Sequence, residues 1–196
     1  MGHTEPAGPA KWSYFRLYVI TDIYPRYVVG WFPADREGSV PVEKFLAGAI
    51  TEQHIDRNTL TLHADNGTST ASKPVAFPLA DLGVTKSHSR PRTPNDDPYS
   101  EAHFKALKYR PDFPDRFDTG ERVRAFCRTF FTWYNTAHRH SGTTRHTPHD
   151  VHHGHTDAVD AVRPEVLAAA YRDRPEPAAP PTVARITPPS RDQQEH

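Results

Sequence analysis

The spacing of apolar residues along the chain predicts an order of strands and helices. Residues 12–22 and 26–32 are rich in aromatic and β-branched side chains on either side of Tyr24-Pro25, a pattern typical of a β-hairpin. Residues 41–51 carry apolar side chains at helical spacing, and residues 59–63 form a short strand-like run. The first third of the chain therefore predicts two paired strands, a helix and a third strand.

The remaining two thirds predict one more strand and four helices. The predicted elements are a short helix over 74–82, a strand over 83–86, helices over 98–109 and 120–136, and a short helix around 165–171. This order predicts an α/β fold in which an antiparallel hairpin joins parallel strands and helices pack on the sheet.

The two ends of the chain lack this periodicity. Residues 1–11 contain Gly, Pro and Ala and predict a loose leader, unless another part of the fold pairs with them. Residues 175–196 are Pro-rich and charged and predict a disordered tail. Between them we expect a core over 12–155 and a helical extension over 156–174.

Composition narrows the class of protein only slightly. The 196 residues are 36% hydrophobic, and Lys plus Arg and Asp plus Glu each total 24, so the formal net charge is zero. A nucleic-acid partner would therefore have to be recognised by a local basic patch. The single cysteine, Cys127, cannot form an internal disulfide, and no apolar run approaches the roughly 20 residues that span a bilayer. These features predict a soluble, cytoplasmic protein.

Two acidic residues stand where phosphodiester chemistry needs carboxylates. Asp65 follows a predicted strand, at the sheet edge where α/β proteins usually bind ligands, and Glu101 lies in the first turn of a predicted helix. Carboxylate oxygens suit Mg²⁺, and pairs of such ions flank the reacting oxygens in phosphoryl transfer. An acidic pair alone is also typical of a solvated surface. The neighbouring residues therefore have to distinguish a metal site from a surface pair.

The helix that carries Glu101 has one charged face. Glu101, Lys105 and Lys108 share this face, while Phe104 and Leu107 are expected to turn to the core. Such a face suits a metal-bound phosphate and its flanking backbone. The alternative is an ordinary solubilising face with a Glu–Lys pair four residues apart.

Several strings taken in order make the pattern specific. These strings are, in chain order, L-Y-V-I-T-D-I-Y-P-R-Y-V-V-G-W, H-A-D-N-G-T-S, L-G-V-T-K-S-H-S-R-P-R, N-D-D-P-Y-S-E-A-H-F-K-A-L-K-Y and W-Y-N-T-A-H-R-H-S-G. Through them the chain resembles the integrase-core transposases of bacterial insertion sequences over roughly residues 8–170.

The resemblance implies a fold, a cofactor and site residues. It implies a ribonuclease H-like mixed sheet flanked by helices, and a Mg²⁺ (or Mn²⁺) site built from two aspartates and a glutamate. It assigns the second aspartate to Asp65 and the glutamate to Glu101, with 35 residues between them, and DNA-contacting lysines to Lys105 and Lys108. DNA, as element ends and target, is the implied partner.

The chain departs from the family at its first strand. The family's first catalytic aspartate falls, by counting back from Gly8, on Gly2, so we expect this strand to be missing or degraded. Asp22 is interpreted as structural, because the family has an aspartate there in addition to its catalytic one. The loss predicts an impaired or inactive transposase. The alternative is a non-catalytic regulator that binds DNA or forms mixed oligomers with a full-length transposase. A metal-dependent nuclease unrelated to transposition would need a complete acidic triad.

Two further groups of residues carry basic or metal-binding side chains. Lys86, Arg90 and Arg92 lie in or beside a basic loop that could approach DNA phosphates or simply be solvated. Seven histidines crowd residues 138–155, but no Cys–Cys or H-E-x-x-H framework accompanies them, which favours surface histidines over a metal site.

Overall fold

The computed structural model describes residues 1–35, 39–55, 59–64, 84–88 and 98–173. Its strands are β1 (Gly2–Thr4), β2 (Arg16–Thr21), β3 (Val28–Ala34), β4 (Thr61–Ala64) and β5 (Thr85–His88). Its α-helices are α1 (Ser39–Glu52), α2 (Pro98–Lys108), α3 (Gly120–Thr136), α4 (Pro148–His152) and α5 (Thr156–Asp173). The predicted helix over 74–82 and the predicted tail over 175–196 lie outside the described residues.

The predicted hairpin is the centre of a three-stranded antiparallel sheet. β2 pairs with β3 in the register Val19↔Trp31, with an irregularity between Ile20 and Thr21. The consecutive residues Leu17, Tyr18 and Val19 are all buried. Because successive side chains of a strand point to opposite faces, burial of three in a row means that both faces of β2 are covered.

The N-terminal residues differ from the loose leader that the sequence predicts. Gly2–Thr4 form β1, which pairs antiparallel with β2. Farther along, the guanidinium of Arg116 donates to the carbonyl oxygens of Gly8 and Ala10 at 3.1 and 3.0 Å. The hydrogen-bond partners of this segment lie up to 108 residues away along the chain. The Gly and Pro content of residues 1–11 therefore could not predict this pairing.

Helix α1 packs on β3 through its apolar stripe. Val42 and Leu46 are buried in one core with Tyr18 and Ala34. Gly30 allows this close approach, since a Cβ there would stand 3.0 Å from the ring of Phe45. The predicted helical spacing therefore identifies the face that α1 buries.

Strands β4 and β5 form a parallel pair that shares this core. Leu62 pairs in register with Lys86, and the backbone N–H of Thr85 donates to the Leu60 carbonyl at 2.9 Å. Leu62 and Val84 lie in the same buried cluster as Tyr18. The predicted antiparallel hairpin and the predicted parallel strands are both confirmed, and in the described residues they form two separate sheets that share one core.

Helix α3 begins and ends where its periodicity predicts. The Thr119 side chain accepts a hydrogen bond from the Arg122 backbone N–H at 3.2 Å, which caps the helix. Its buried residues recur at helical spacing: Val123, Cys127, Phe130, Phe131 and Tyr134. Burial raises the pKa of the Cys127 thiol to about 12, so this side chain acts as a core residue.

Contacts divide the chain into two compact units. The first comprises residues 1–22 and 28–130 and contains all five strands, and the second comprises residues 23–27 and 131 onward. Within the second unit, α4 lies in the histidine-rich segment, where no helix is predicted, and α5 starts nine residues before the predicted 165–171. Pro164 inside α5 obscures its helical pattern in the sequence.

Candidate active site

Strand β4 leads directly to the first predicted catalytic residue. β4 ends at Ala64, and Asp65 follows it just outside the described residues. Because β4 and β5 are parallel, the two strands end at the same edge of their sheet. Arg90 and Arg92 also lie outside the described residues, while Lys86 lies within β5. The described backbone thus brings the segments before the predicted aspartate and the basic loop to one sheet edge.

The residue before β1 is hydrogen-bonded to β4 near this edge. The backbone nitrogen of Met1 donates a hydrogen bond to the carbonyl of His63, two residues before Asp65 in the chain. Gly2 is buried and pairs in register with Val19 of β2. Gly2 therefore contributes no side chain next to the contact between Met1 and His63. Asp22 follows the end of β2 that lies beside the start of β1, three residues after Val19, and is half-buried.

Helix α2 carries the predicted glutamate and lysines. It begins at Pro98, so Glu101 lies in its first turn. Lys105 and Lys108 follow four and seven residues later, which places all three on one helical face. Lys105 and Lys108 are exposed. The charged face of α2 is therefore accessible at both lysines.

The buried face of α2 holds a residue that sequence reasoning missed. Leu107 is fully buried, as predicted, while Phe104 is only half-buried and His103 is 2% exposed. The His103 ring centroid lies 6.0 Å from that of Phe104 and 6.4 Å from that of Phe130. His103 and Leu107 stand four residues apart, which is the signal that could have identified this face.

Three arginines surround a cavity beside α3 in the same unit. The cavity measures about 370 Å³, and its walls include Arg110, Arg116 and Arg122 with the aromatic rings of Phe117 and Phe126. Arg110 also pairs with Asp112 at 2.6 Å, a contact that lowers the pKa of the Asp112 carboxyl through hydrogen bonding. Asp112 and Asp118 also line the cavity, so its walls combine charges of both signs with apolar rings.

The second unit contains two polar pairs that the sequence did not predict. The Tyr134 hydroxyl lies 2.7 Å from His140 Nε2, and burial lowers the pKa of His140 to about 4, with help from the charges of His138 and Arg26. Trp133, next to Tyr134, is 38% exposed.

The other pair joins the chain before α4 to α5. His146 Nε2 lies 2.9 Å from Asp160 Oδ1, which also accepts a hydrogen bond from Arg163 at 3.0 Å. His146 is completely buried, and this burial is the main cause of its lowered pKa. A neutral imidazole therefore links the two segments around neutral pH.

No described helix is both long enough and apolar enough to cross a membrane.

Comparison with known proteins gives one family throughout. Two family models, each described as an integrase core domain, match residues 4–94 and residues 82–148. The transposase for insertion sequence element IS904 of Lactococcus lactis subsp. lactis (strain IL1403) is 29% identical over 143 residues, which cover 72% of this chain. The chain spans just over half of that transposase, 56% of its length.

The fold is similar to that of solved retroviral integrases. The catalytic core domain of BIV integrase matches with a TM-score of 0.52 at 20% identity. The match covers 80% of this chain and 96% of the BIV integrase chain. The HTLV-2 integrase catalytic core domain in complex with magnesium has a TM-score of 0.54 at 15% identity, covering 78% of this chain and 93% of its own.

A third structure, the simian T-cell lymphotropic virus intasome in complex with PP2A regulatory subunit B56 gamma, has a TM-score of 0.59 at 16% identity. It covers 96% of this chain and 59% of its own. The chain has the ribonuclease H-like fold of the retroviral integrase cores. The two overlapping family matches, which together span residues 4–148, and the similar transposase show that the chain belongs to the integrase core family.

Proposed function

We propose that the chain is a transposase catalytic core for Mg²⁺-dependent polynucleotidyl transfer, and that its activity is impaired because Gly2 replaces the first catalytic aspartate. The observation that carries the proposal is that β4 ends immediately before Asp65 in the chain and that Glu101 lies in the first turn of α2, within a matched integrase core. The magnesium-bound HTLV-2 integrase core supports a divalent ion in this fold.

The donor set fits such an ion in type but is incomplete. Asp65 and Glu101 would supply carboxylate oxygens, the ligands that Mg²⁺ prefers. When bound, the metal would neutralise charge that develops on the phosphate oxygens. Gly2, which follows the residue that is hydrogen-bonded to β4, has no carboxylate to add. We therefore expect the phosphoryl group's charge to be poorly neutralised, since one such electrostatic contact is commonly worth about 10²–10³ in rate.

The remaining site residues would hold DNA. Lys105 and Lys108 extend the exposed face of α2 away from Glu101, and a cationic side chain there can contact phosphates that flank the reacting one. Lys86, Arg90 and Arg92 would add contacts from the sheet edge. Such binding is backbone-directed and salt-sensitive. The proposed partners are element ends and target DNA, with a homo-oligomer or a mixed oligomer as the assembly.

A strand-transfer and nicking assay tests the proposal. Oligonucleotides that carry the ends of the element would be incubated with the chain and Mg²⁺ or Mn²⁺, beside Gly2→Asp, Asp65→Ala and the double variant. We expect weak activity from the unaltered chain, a gain of at least about tenfold from Gly2→Asp, and loss of that gain in the double variant. Gly2 lies in extended β-strand backbone, a conformation that is open to residues other than glycine.

Two results would decide against parts of the proposal. Robust activity of the unaltered chain, abolished by Asp65→Ala, would refute the impairment while supporting the catalytic role of Asp65. Activity that survives Asp65→Ala and Glu101→Ala would refute the assigned site. Circular dichroism of each variant separates loss of chemistry from loss of fold.

The absent carboxylate at Gly2 also favours a second candidate, a non-catalytic regulator. Such a protein would retain the fold and act by occupying DNA or by joining mixed oligomers with an active transposase. Adding the unaltered chain to the Gly2→Asp variant tests this role. A regulator should reduce strand transfer in proportion to its amount, whereas an independent weak enzyme should not.

A further inference from the structure

We propose that His149, Asp150 and His155 form a binding site for a borderline transition-metal ion of the Zn²⁺ class. Each side chain offers one ligand atom, and the three atoms lie within 4.8 Å of one another. The site is composed of two imidazoles and one carboxylate, whereas the catalytic site proposed above uses carboxylates for a hard Mg²⁺ ion. It is therefore independent of the proposed function.

A capping box orients the carboxylate. Thr147 is the N-cap of α4, and Pro148 follows it. The Thr147 hydroxyl donates to Asp150 Oδ2 at 2.7 Å and accepts from the Asp150 backbone N–H at 3.1 Å. This reciprocal pair fixes the start of the helix and restricts the Asp150 side chain. The same residues thus position one metal ligand in advance.

A tight reversal at the other end of α4 brings His155 back towards this carboxylate. Gly154 has a φ of +71°, in the left-handed region that favours glycine. The backbone N–H of His155 donates to the Asp150 carbonyl at 2.7 Å, and that of Gly154 donates to the Val151 carbonyl at 3.3 Å. These bonds form a Schellman motif. The chain therefore returns His155 to the turn that holds the other two ligands.

The imidazoles around the site are packed together. The ring centroid of His149 lies 5.5 Å from that of His155 and 4.4 Å from that of His153. Beside them, Tyr27 stacks on His152 at 4.2 Å with an interplanar angle of 8°. Water can complete the coordination of an ion that these three protein ligands hold.

The donor chemistry selects the class of metal. Zn²⁺ binds imidazole nitrogen and carboxylate oxygen at about 2.0–2.2 Å and takes four ligands, and Co²⁺ and Ni²⁺ accept the same donors. Ligand atoms up to 4.8 Å apart must move closer to surround one ion. His149 is half-buried and His155 is exposed, so side-chain rotation at the surface can supply this movement without repacking the core.

Zinc titration of the full chain, without an affinity tag, tests the site. Zinc affinity would be measured by competition with a chromophoric zinc indicator, and the ligand geometry by visible absorption after Co²⁺ addition. We expect His149→Gln and His155→Gln each to weaken zinc binding by at least about tenfold. Asp150→Asn should do the same while its amide oxygen keeps the contact with Thr147.

His54→Asn is the matched control. His54 is exposed and lies in the first unit, and its φ of +50° is one that asparagine tolerates. This variant should bind zinc as tightly as the unaltered chain. An excess of Mg²⁺ should not displace zinc, and zinc should raise the Tm of the unaltered chain but not of His149→Gln.

Three outcomes would overturn the proposal. One is undetectable zinc binding to the folded chain. Another is equal affinity in the unaltered chain, His149→Gln and His155→Gln, which would mean diffuse binding to surface histidines. Efficient displacement by Mg²⁺ would contradict the assigned class of metal. Because none of these measurements uses DNA, their failure is distinguishable from failure of the proposed function.

Discussion

Phe130 shows how a single aromatic residue of α3 contributes to stability. It is 1% exposed, its ring meets that of His103, and the Arg110 guanidinium lies over it at 5.8 Å. Tyr109, close by in sequence, is 82% exposed. The side chains of Phe130 and Tyr109 are similar in size and aromatic character, and they differ in burial.

We expect Phe130→Ala to lower the free energy of unfolding by about 3–5 kcal/mol, because it removes buried apolar surface and leaves a cavity. Tyr109→Ala should change it by no more than about 0.5 kcal/mol. Urea denaturation followed by tryptophan fluorescence measures both. Equal losses for the two variants would contradict the burial of Phe130.

His140 predicts how stability depends on pH. Its pKa is lowered to about 4 in the folded chain, so between about pH 6.5 and pH 4 the unfolded state binds a proton that the folded state does not. Stability should therefore fall as the pH falls through this window. The lowered pKa values of His138 and His146 act in the same direction.

Glutamine in place of His140 cannot bind this proton in either the folded or the unfolded state. The loss of stability between pH 6.5 and pH 4 should become smaller in His140→Gln than in the unaltered chain. Thermal denaturation at closely spaced pH values measures the difference. An unchanged pH profile would show that His140 titrates alike in both states.

At the scale of elements, two glycines with equally open surroundings should respond in opposite ways. A Cβ added at Gly48, in α1, or at Gly154, after α4, would meet no atom within 4 Å. Only Gly154 has a positive φ. Backbone conformation, and not space, is what separates the two sites.

Gly154→Ala should destabilise the chain by about 1–2 kcal/mol, because alanine is strained in the left-handed region. Gly48→Ala should stabilise it by about 0.5–1 kcal/mol, because alanine loses less backbone entropy in a helix. Urea denaturation in the presence of a metal chelator checks both signs. A stabilising Gly154→Ala would argue against the Schellman turn.

Elements with strong local patterns were predicted well, and those fixed by distant partners were not. The bounds of α3 follow from the recurrence of residues such as Val123, Cys127 and Phe130. β1 has only three residues, too few for an alternation to be recognised, and its pairing partner is β2. α4 was missed because its five residues depend on the Thr147 cap and on the turn at Gly154 for their definition.

At the scale of the whole molecule, a net charge of zero means that DNA binding has to come from a local patch. Under the proposed function, the exposed Lys105 and Lys108 of α2 belong to that patch. Lys44, on α1, is equally exposed and offers the same charge at another place. Comparison of these lysines separates a specific patch from general attraction.

We expect Lys105→Gln and Lys108→Gln each to weaken binding to duplex DNA and to reduce the slope of log affinity against log salt by about 1. Lys44→Gln should leave the slope unchanged. Fluorescence anisotropy at several salt concentrations provides the measurement. Equal effects of all three substitutions would remove the α2 face from the proposed DNA surface.

The sequence by itself determined the family, the α/β order and the charged face of α2, because each is encoded by periodicity or by strings that are contiguous in the chain. It also predicted Asp65 and Glu101 as the catalytic pair, an assignment that stays a prediction. The pairing of β1 with β2 and the burial of His103 depend on residues distant in the chain. Only the tertiary structure decided these two features. It also decided that His149, Asp150 and His155 lie close together, because the chain reverses at Gly154 and returns His155 to the other two residues.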